Sequence, residues 1–546
     1  MRDWQLDAHL VHRRRWLTLF VLCLSLVVIV VDNSILNVAL PTLARPVARG
    51  GLNAADSDLQ WIVDSYVLVF AGLLLTAGSL GDRFGRYKAL AGGLAVFGLG
   101  SLLAAFAGSS GQLIAFRAVM GVGGAFIMPA TLSIITNVFT DPRERGRAIG
   151  VWAGFSAIGL AIGPATGGLL LEHFWWGSVL LVNVPIVVIA LVGGFLLVPD
   201  SRDPAAPRVD VPGAALSIVG FATLLWGLIE GPTRGWTSPA VLGAFVGGLT
   251  LLGVFLWWER TTPTPMLDLN FFRNRRFSAA SAAITLTFMA LMGMIFGLTQ
   301  YLQSVLGYSP LKAGALLIPM SAVMMVLAPL SARVVERLGT KLVVGSGLLI
   351  VSTALLSQTQ LTASTPTVLV VLSTILLGTG MANVMAPATE SIMGSLPRAK
   401  AGVGSAVNDT TRQVGGAVGV ALIGSLLASV YRGDVRTGLA DAGVSGSLVG
   451  KASSTVQAGV AVGGDVGGRA GATIVSVAHD AFLSGYHLGV LVAAAITLTA
   501  AAGVFLWLPA RATVPADAVV EVTPEDDADV VGTVPADAVA TADSAA

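Results

Sequence analysis

The sequence is poor in charge and almost without cysteine. Only 12% of its 546 residues are Asp, Glu, Lys or Arg, roughly half the share of an ordinary soluble domain. So little charge excludes a water-soluble enzyme or binding module of this length. The net charge is +1, which leaves no basic field for nucleic acid. The single cysteine, Cys23, lies within the first apolar run. It excludes an internal disulfide and a cysteine-based metal cluster. The sequence has no Gly-x4-Gly-Lys-Ser/Thr phosphate loop, no cluster of metal ligands and no nucleophile beside a base. Catalytic chemistry and work driven directly by ATP are therefore not expected, nor is a cofactor.

Apolar sequence fills the chain. Hydrophobic residues make up 54% of it, accompanied by 65 glycines and 24 prolines. Those two residues weaken helices in water but are frequent in helices packed in lipid. About 20 apolar residues cross a bilayer. Fourteen such runs occur, near 17–41, 59–80, 88–107, 112–137, 148–170, 178–198, 212–230, 239–258, 277–304, 312–332, 342–358, 367–391, 402–428 and 482–508. The first follows Arg13, Arg14 and Arg15 as a secretory leader would, but it is too long for one and many more spans follow. The fold class is all-α: a polytopic membrane protein of 14 transmembrane helices.

Basic residues orient it. Four lie in the N-terminal tail, and the loops after even-numbered spans hold three, three, two, four, three and two. The short loops on the other side hold only Arg45, Arg49, Arg234 and Lys312. The positive-inside rule then places both termini in the cytoplasm, with the plasma membrane as the expected location.

The chain also repeats itself. Pro129-Ala130-Thr131 recurs as Pro387-Ala388-Thr389, and Gly150, Gly163 and Gly167 recur 252 residues on as Gly402, Gly415 and Gly419. Two parallel halves of six helices follow, with room between them for two more. The expected layout is a tail over 1–15, a six-helix bundle over 16–200, two linker helices over 201–260 and a second bundle over 261–511. That second bundle carries a long outer loop at 431–480, with short amphipathic helices within it as an alternative. Residues 512–546 hold eight acids and no Lys or Arg, and are expected to be a disordered cytoplasmic tail.

Four stretches carry chemistry. Between the second and third spans runs Gly78-Ser-Leu-Gly81-Asp82-Arg83-Phe-Gly85-Arg86-Tyr-Lys88. Such a charged, glycine-rich turn must sit at a membrane face. The first span ends Val31-Asp32-Asn33-Ser34-Ile35-Leu36-Asn37, and an ionisable residue there is costly to bury and functional by default. The fourth span has Arg117 followed by Gly121, Gly123 and Gly124. The fifth has Gly159, Gly163, Pro164, Gly167 and Gly168, a face of small residues for close helix contact with a proline that bends the helix.

Together these stretches resemble the fourteen-helix drug–proton antiporters of the major facilitator superfamily over about residues 16–508. The resemblance implies two rocking bundles and export of amphipathic, in part cationic, small molecules in exchange for protons by a functional monomer in the bilayer. A nutrient symporter and a non-transporting membrane sensor are the rival readings. The fifth-span Gly-Pro motif argues against the first, and buried Asp32 and Arg117 argue against the second. The turn Gly78, Gly81, Asp82, Arg83, Gly85 and Arg86 is implied to be the conformational switch, with Asp82 against the start of the thirteenth span.

Asp32, Asp64 and Arg117 are expected to form one proton-coupling cluster. At about 1.5 Å per residue all three reach a similar depth in a core of about 30 Å. Asp64 departs from the family pattern, and its alternative is a helix-entry residue facing outer water. Asn37, Asn183, Gln300, Gln303, Asp409 and Arg412 are candidates for a polar or substrate pathway. Asp409 and Arg412, three apart on one helical face, have the alternative of simply neutralising each other.

Overall fold

In hydrocarbon every backbone polar group must be satisfied within its own segment, and the chain meets this with helices throughout. A computed structural model describes residues 8–47, 50–203 and 210–510, and among these there is no strand. The first seven residues and the acidic tail 512–546 lie outside the described residues. Among the described residues, fourteen helices are long and apolar enough to cross a membrane. The first half comprises α1 (Ala8–Leu43), α2 (Asp56–Phe84), α3 (Arg86–Ala105), α4 (Ser110–Val138), α5 (Pro142–His173) and α6 (Ser178–Leu197). Between the halves come α7 (Val211–Arg234) and α8 (Pro239–Thr261). The second half comprises α9 (Arg275–Gln300), α10 (Ile318–Leu338), α11 (Thr340–Ser357), α12 (Thr367–Met393), α13 (Ala401–Asp441) and α14 (Gly468–Trp507).

Local chemistry sets many of the starts. Ser109, Asp141, Asp210 and Ser238 precede α4, α5, α7 and α8, and each accepts a hydrogen bond from a first-turn backbone N–H. Pro142, Pro212 and Pro239 stand in the first two helical positions, where a missing N–H costs nothing. Pro129, Pro164, Pro329 and Pro387 fall inside helices. At its far end α9 loosens into a π-turn, Tyr301–Val305.

Packing follows the repeat. In the first half α1 lies against α5 and α6, α2 against α4, and α3 against α4 and α6. In the second half α9 lies against α13 and α14, α10 against α12, and α11 against α12 and α14. The halves meet where α2 packs on α13 and α5 on α10, a pair of contacts that the repeat exchanges. The inserted α7 and α8 form a hairpin, with α7 on α2 and α13.

One expectation is corrected. The segment 431–480 is mostly helix rather than loop: α13 runs on to Asp441, short helices cover Gly446–Ala452 and Val456–Val466, and α14 starts at Gly468. The cause is a small apolar core. Tyr431, Val435 and Leu439, one turn apart on α13, are buried with Val456, Ile474 and Ala478. The Tyr431 hydroxyl donates to the carbonyls of Ala452 (2.8 Å) and Thr455 (2.9 Å).

The α1–α5 contact is a close one. A Cβ added at Gly163 would stand 1.9 Å from Ser34 Oγ, whereas at Gly168 the nearest atom would be Leu311 Cδ1 at 3.8 Å. Gly163→Ala should therefore cost about 1–3 kcal/mol as overpacking, and Gly168→Ala should be neutral within about 0.5 kcal/mol. Unfolding of both variants in detergent checks this. A Gly163→Ala protein as stable as wild type would mean that α1 and α5 do not sit this close.

Candidate functional site

Two buried charge centres stand at different depths. The first is built on Asp32 of α1, which has no exposed surface. Its Oδ2 is ion-paired with Arg117 Nη1 from α4, and its Oδ1 accepts a hydrogen bond from Asn183 Nδ2 of α6 at 2.8 Å. Arg117 is also fully buried. Its Nε donates to the Ile62 carbonyl at 3.1 Å, and its guanidinium lies 4.4 Å from the centre of the Tyr66 ring. Asn183 Nδ2 also donates to Ser101 Oγ of α3 at 3.1 Å. Five helices, α1, α2, α3, α4 and α6, thus contribute to the network around one carboxylate. Arginine stays charged whatever surrounds it.

Asp64 does not join this centre. Ile62 and Tyr66, one turn apart on α2, face Arg117. A residue two positions from Ile62 is turned about 200° round a helix of 3.6 residues per turn. The Asp64 carboxylate accordingly bonds Gln60 and feels the charge of Glu230 on α7. Depth alone placed it with Asp32 and Arg117; helical phase separates them.

The second centre is the turn between α2 and α3. Asp82 is buried and accepts from two backbone N–H groups in the first turn of α13, Gly402 to Oδ1 (2.9 Å) and Val403 to Oδ2 (3.1 Å). Those N–H groups have no partner within their own helix, and the helix dipole favours an anion there. Arg86 Nε donates to Asp82 Oδ1 at 2.8 Å, and its Nη2 donates to the carbonyls of Arg398 (2.9 Å) and Ala399 (2.8 Å). One turn back, a Cβ at Gly78 would lie 2.5 Å from the Gly402 carbonyl oxygen. Gly85 adopts φ +118°, a conformation that suits glycine. Gly81 is buried beside Ala89, and Arg83 lies over the Phe84 ring.

Two further parts of this face escaped the sequence reading. Arg145 of α5 forms a forked pair with Glu390 of α12, with Nη2 to Oε1 at 2.7 Å and Nε to Oε2 at 3.0 Å. The signal was Glu390 itself, an acid directly after Pro387-Ala388-Thr389 where the first copy has Leu132. The other part is a strap, Asp200–Asp203, leading from α6 toward α7. The Ser201 carbonyl accepts from Arg86 N (2.9 Å), and Asp203 N donates to the Asp82 carbonyl (2.7 Å). Lys400 Nζ lies 3.1 Å from Asp203 Oδ2. No motif announced it, because backbone groups make most of its bonds.

The remaining candidates scatter. Gly159, Gly163 and Gly167 pack on Val30, Ser34 and Ile35 of α1, while Pro164 and Gly168 meet Gly314 and Leu311 just before α10. Gln300 ends α9 and Gln303 lies in the π-turn. The side chain of Asn37 lies outside the described residues. Asp409 and Arg412 are buried but form no direct ion pair. Each still feels the other's charge across the gap. Arg412 Nη2 instead donates to Thr389 Oγ1 at 2.9 Å, and Asp409 Oδ1 accepts from Asn408 Nδ2 at 3.2 Å.

Removing one partner from a buried ion pair costs about 3–5 kcal/mol, because the other charge is left uncompensated. Arg117→Gln alone should lose stability on that scale, and Asp32→Asn/Arg117→Gln should recover a large part of it. A double-mutant cycle on unfolding in detergent measures the coupling; additive losses would mean that the pair does not act as a unit.

Comparison with known proteins places the chain. The sequence profile described as Major Facilitator Superfamily matches residues 22–420. The multidrug efflux pump LfrA of Mycolicibacterium smegmatis is 37% identical over 90% of this chain and 95% of its own length. The tetracenomycin C resistance and export protein of Streptomyces glaucescens is 34% identical over 90% and 91%. The methyl viologen resistance protein SmvA of Salmonella typhimurium is 31% identical over 91% and 98%. Among solved structures, the proton:xylose symporter XylE superposes with a TM-score of 0.57 at 14% identity, covering 90% of this chain and 96% of that one, which bears on fold alone. A chain with this repeat, these helix contacts and these relatives is a multi-pass membrane protein and a secondary transporter rather than an enzyme, and it belongs to the Major Facilitator Superfamily.

Proposed function

We propose that the chain exports amphipathic small molecules, organic cations among them, across the plasma membrane in exchange for protons. The resistance and efflux relatives support the cargo. The observation that carries the coupling is the Asp32–Arg117–Asn183 centre: a titratable carboxylate with no exposed surface, held against a cation that cannot give up its charge. Protonation of Asp32 would release Arg117 from it and free α1 and α4 to shift relative to one another. The proton gradient is the proposed energy source, with no cofactor and a monomer as the working unit.

The asymmetry of basic residues supports a cytoplasmic Asp82 face and cytoplasmic termini. On that reading this conformation is the one closed to the cytoplasm. Asp82 on α13, Arg86 on the segment before it, and Arg145 on Glu390 all join the halves at that face. Opening inward would break these bonds together, and the rocking of one bundle against the other would carry the cargo across.

Dye efflux from everted vesicles tests both parts. Wild type should move an amphipathic cationic dye only with a proton gradient. Asp32→Asn should abolish gradient-driven movement while the protein still reaches the membrane, and an unshifted, gradient-dependent rate in that variant would remove Asp32 from the coupling. Asp82→Asn should slow transport without loss of expression; a wild-type rate would show that this closure is not part of the cycle.

A further inference from the structure

The repeat brings Arg412 to an unusual place. Thr131 and Thr389 are equivalent in the two copies of Pro-Ala-Thr, and each accepts a hydrogen bond from a side chain on the next helix of its half. Thr131 Oγ1 takes Trp152 Nε1 of α5 at 3.1 Å, and Thr389 Oγ1 takes Arg412 Nη2 of α13 at 2.9 Å. The two donors then meet across the boundary between the halves. The Arg412 guanidinium carbon stands 5.0 Å from the centre of the Trp152 ring and 5.5 Å from that of Phe288 on α9. Trp152 lies ten residues into α5 and Arg412 eleven into α13. At about 1.5 Å per residue, Trp152 lies about 10 Å beyond Arg145 and Arg412 about 15 Å beyond Gly402, both well inside a core of about 30 Å.

This arginine is held by aromatic faces rather than by a carboxylate. Its Nε has no hydrogen-bond partner although the residue is more than nine-tenths buried, and the buried Asp409 carboxylate is held by Asn408 and Ser405 of its own helix rather than by this arginine. Asp409 lies two turns beyond Gly402 on the face of α13 that meets α2, and the guanidinium feels its charge without touching it. A buried donor left open is costly. It marks a place that is completed by something other than the present contacts.

We propose that Trp152, Phe288 and Asp409 form a subsite for the flat cationic group of a cargo molecule, and that Arg412 occupies it as an internal plug in this conformation. The inference rests on the export reading above. Two aromatic faces with a nearby carboxylate are what a delocalised organic cation seeks. A guanidinium is a small version of the same group, planar, weakly hydrated and suited to stacking. The plug also accounts for the separation of Asp409 from Arg412: one carboxylate serves whichever cation is present. When the halves part at the Asp82 face, Trp152 on α5 moves away from Arg412 on α13, and the subsite opens toward the side from which cargo would be taken.

Ethidium binding to the purified full-length protein, read by fluorescence polarisation without a gradient, tests the plug. Arg412→Gln removes the competing charge but keeps a donor for Thr389, and should bind ethidium about tenfold tighter, the scale of one cation–π contact in a desolvated site. Adding Trp152→Ala to it should erase the gain, whereas adding Trp152→Phe should keep it. Asp409→Asn should weaken binding in either background. If Arg412→Gln is too unstable to purify, Trp152→Ala and Trp152→Phe in the otherwise wild-type chain carry the test: the alanine should weaken ethidium binding and the phenylalanine should not. Wild-type vesicles that export ethidium, together with variants that bind it like wild type, would overturn this inference and leave the export reading standing. Vesicles that export nothing, with an Arg412→Gln protein that binds none, would overturn both.

Discussion

Charge buried in hydrocarbon must be paired, and this one constraint organises the molecule. Two of the buried carboxylates show it most plainly. Asp32 draws α4 and α6 onto α1 through Arg117 and Asn183. Asp82 draws the first turn of α13 onto α2 through two backbone N–H groups. In an apolar medium helices have little hydrophobic reason to prefer one neighbour over another. Directional contacts of this kind, with close glycine contacts such as Gly163 on Ser34, therefore decide which helices touch.

The two centres differ in what can undo them. The Asp32 centre lies within one half, so disturbing it alters packing inside that half. The Asp82 centre crosses between halves, as does the Arg145–Glu390 pair, so those bonds must all be broken for the halves to separate at that face. An alternating-access cycle needs one of each kind: a group that reads the ion, and a set of contacts whose breaking is the conformational change. The α2–α13 and α5–α10 interfaces connect them, because α2 carries both Ile62, which touches Arg117, and Asp82.

Much of the fold was legible because lipid simplifies the code. Fourteen apolar runs became fourteen spanning helices, and the 252-residue offset between glycine sets became a matching pattern of helix contacts in the two halves. The site was legible in part. The nearness of Asp32 to Arg117, and of Asp82 to the start of α13, followed from depth and from family resemblance. What failed was phase around a helix: Asp64 sits at the right height but is turned toward Gln60 and Glu230. Asn183 was noted without a role, since nothing in its own surroundings names a partner 151 residues away. The region 431–480 was read as loop because glycine, alanine and serine hide the spacing of Tyr431, Val435 and Leu439.

The strap Asp200–Asp203 bears on how the two halves are joined. A chain connecting two moving bodies is commonly treated as slack, with its length costing only closure entropy. Here the first residues of the connection are hydrogen-bonded into the turn between α2 and α3 and ion-paired to Lys400 ahead of α13. The connection is thus a component of the closure. The α7–α8 hairpin, which packs on α2 and α13, hangs from it. Any motion that frees Asp82 from α13 must therefore also disturb the strap, which is bonded both to the backbone of Asp82 and to Lys400.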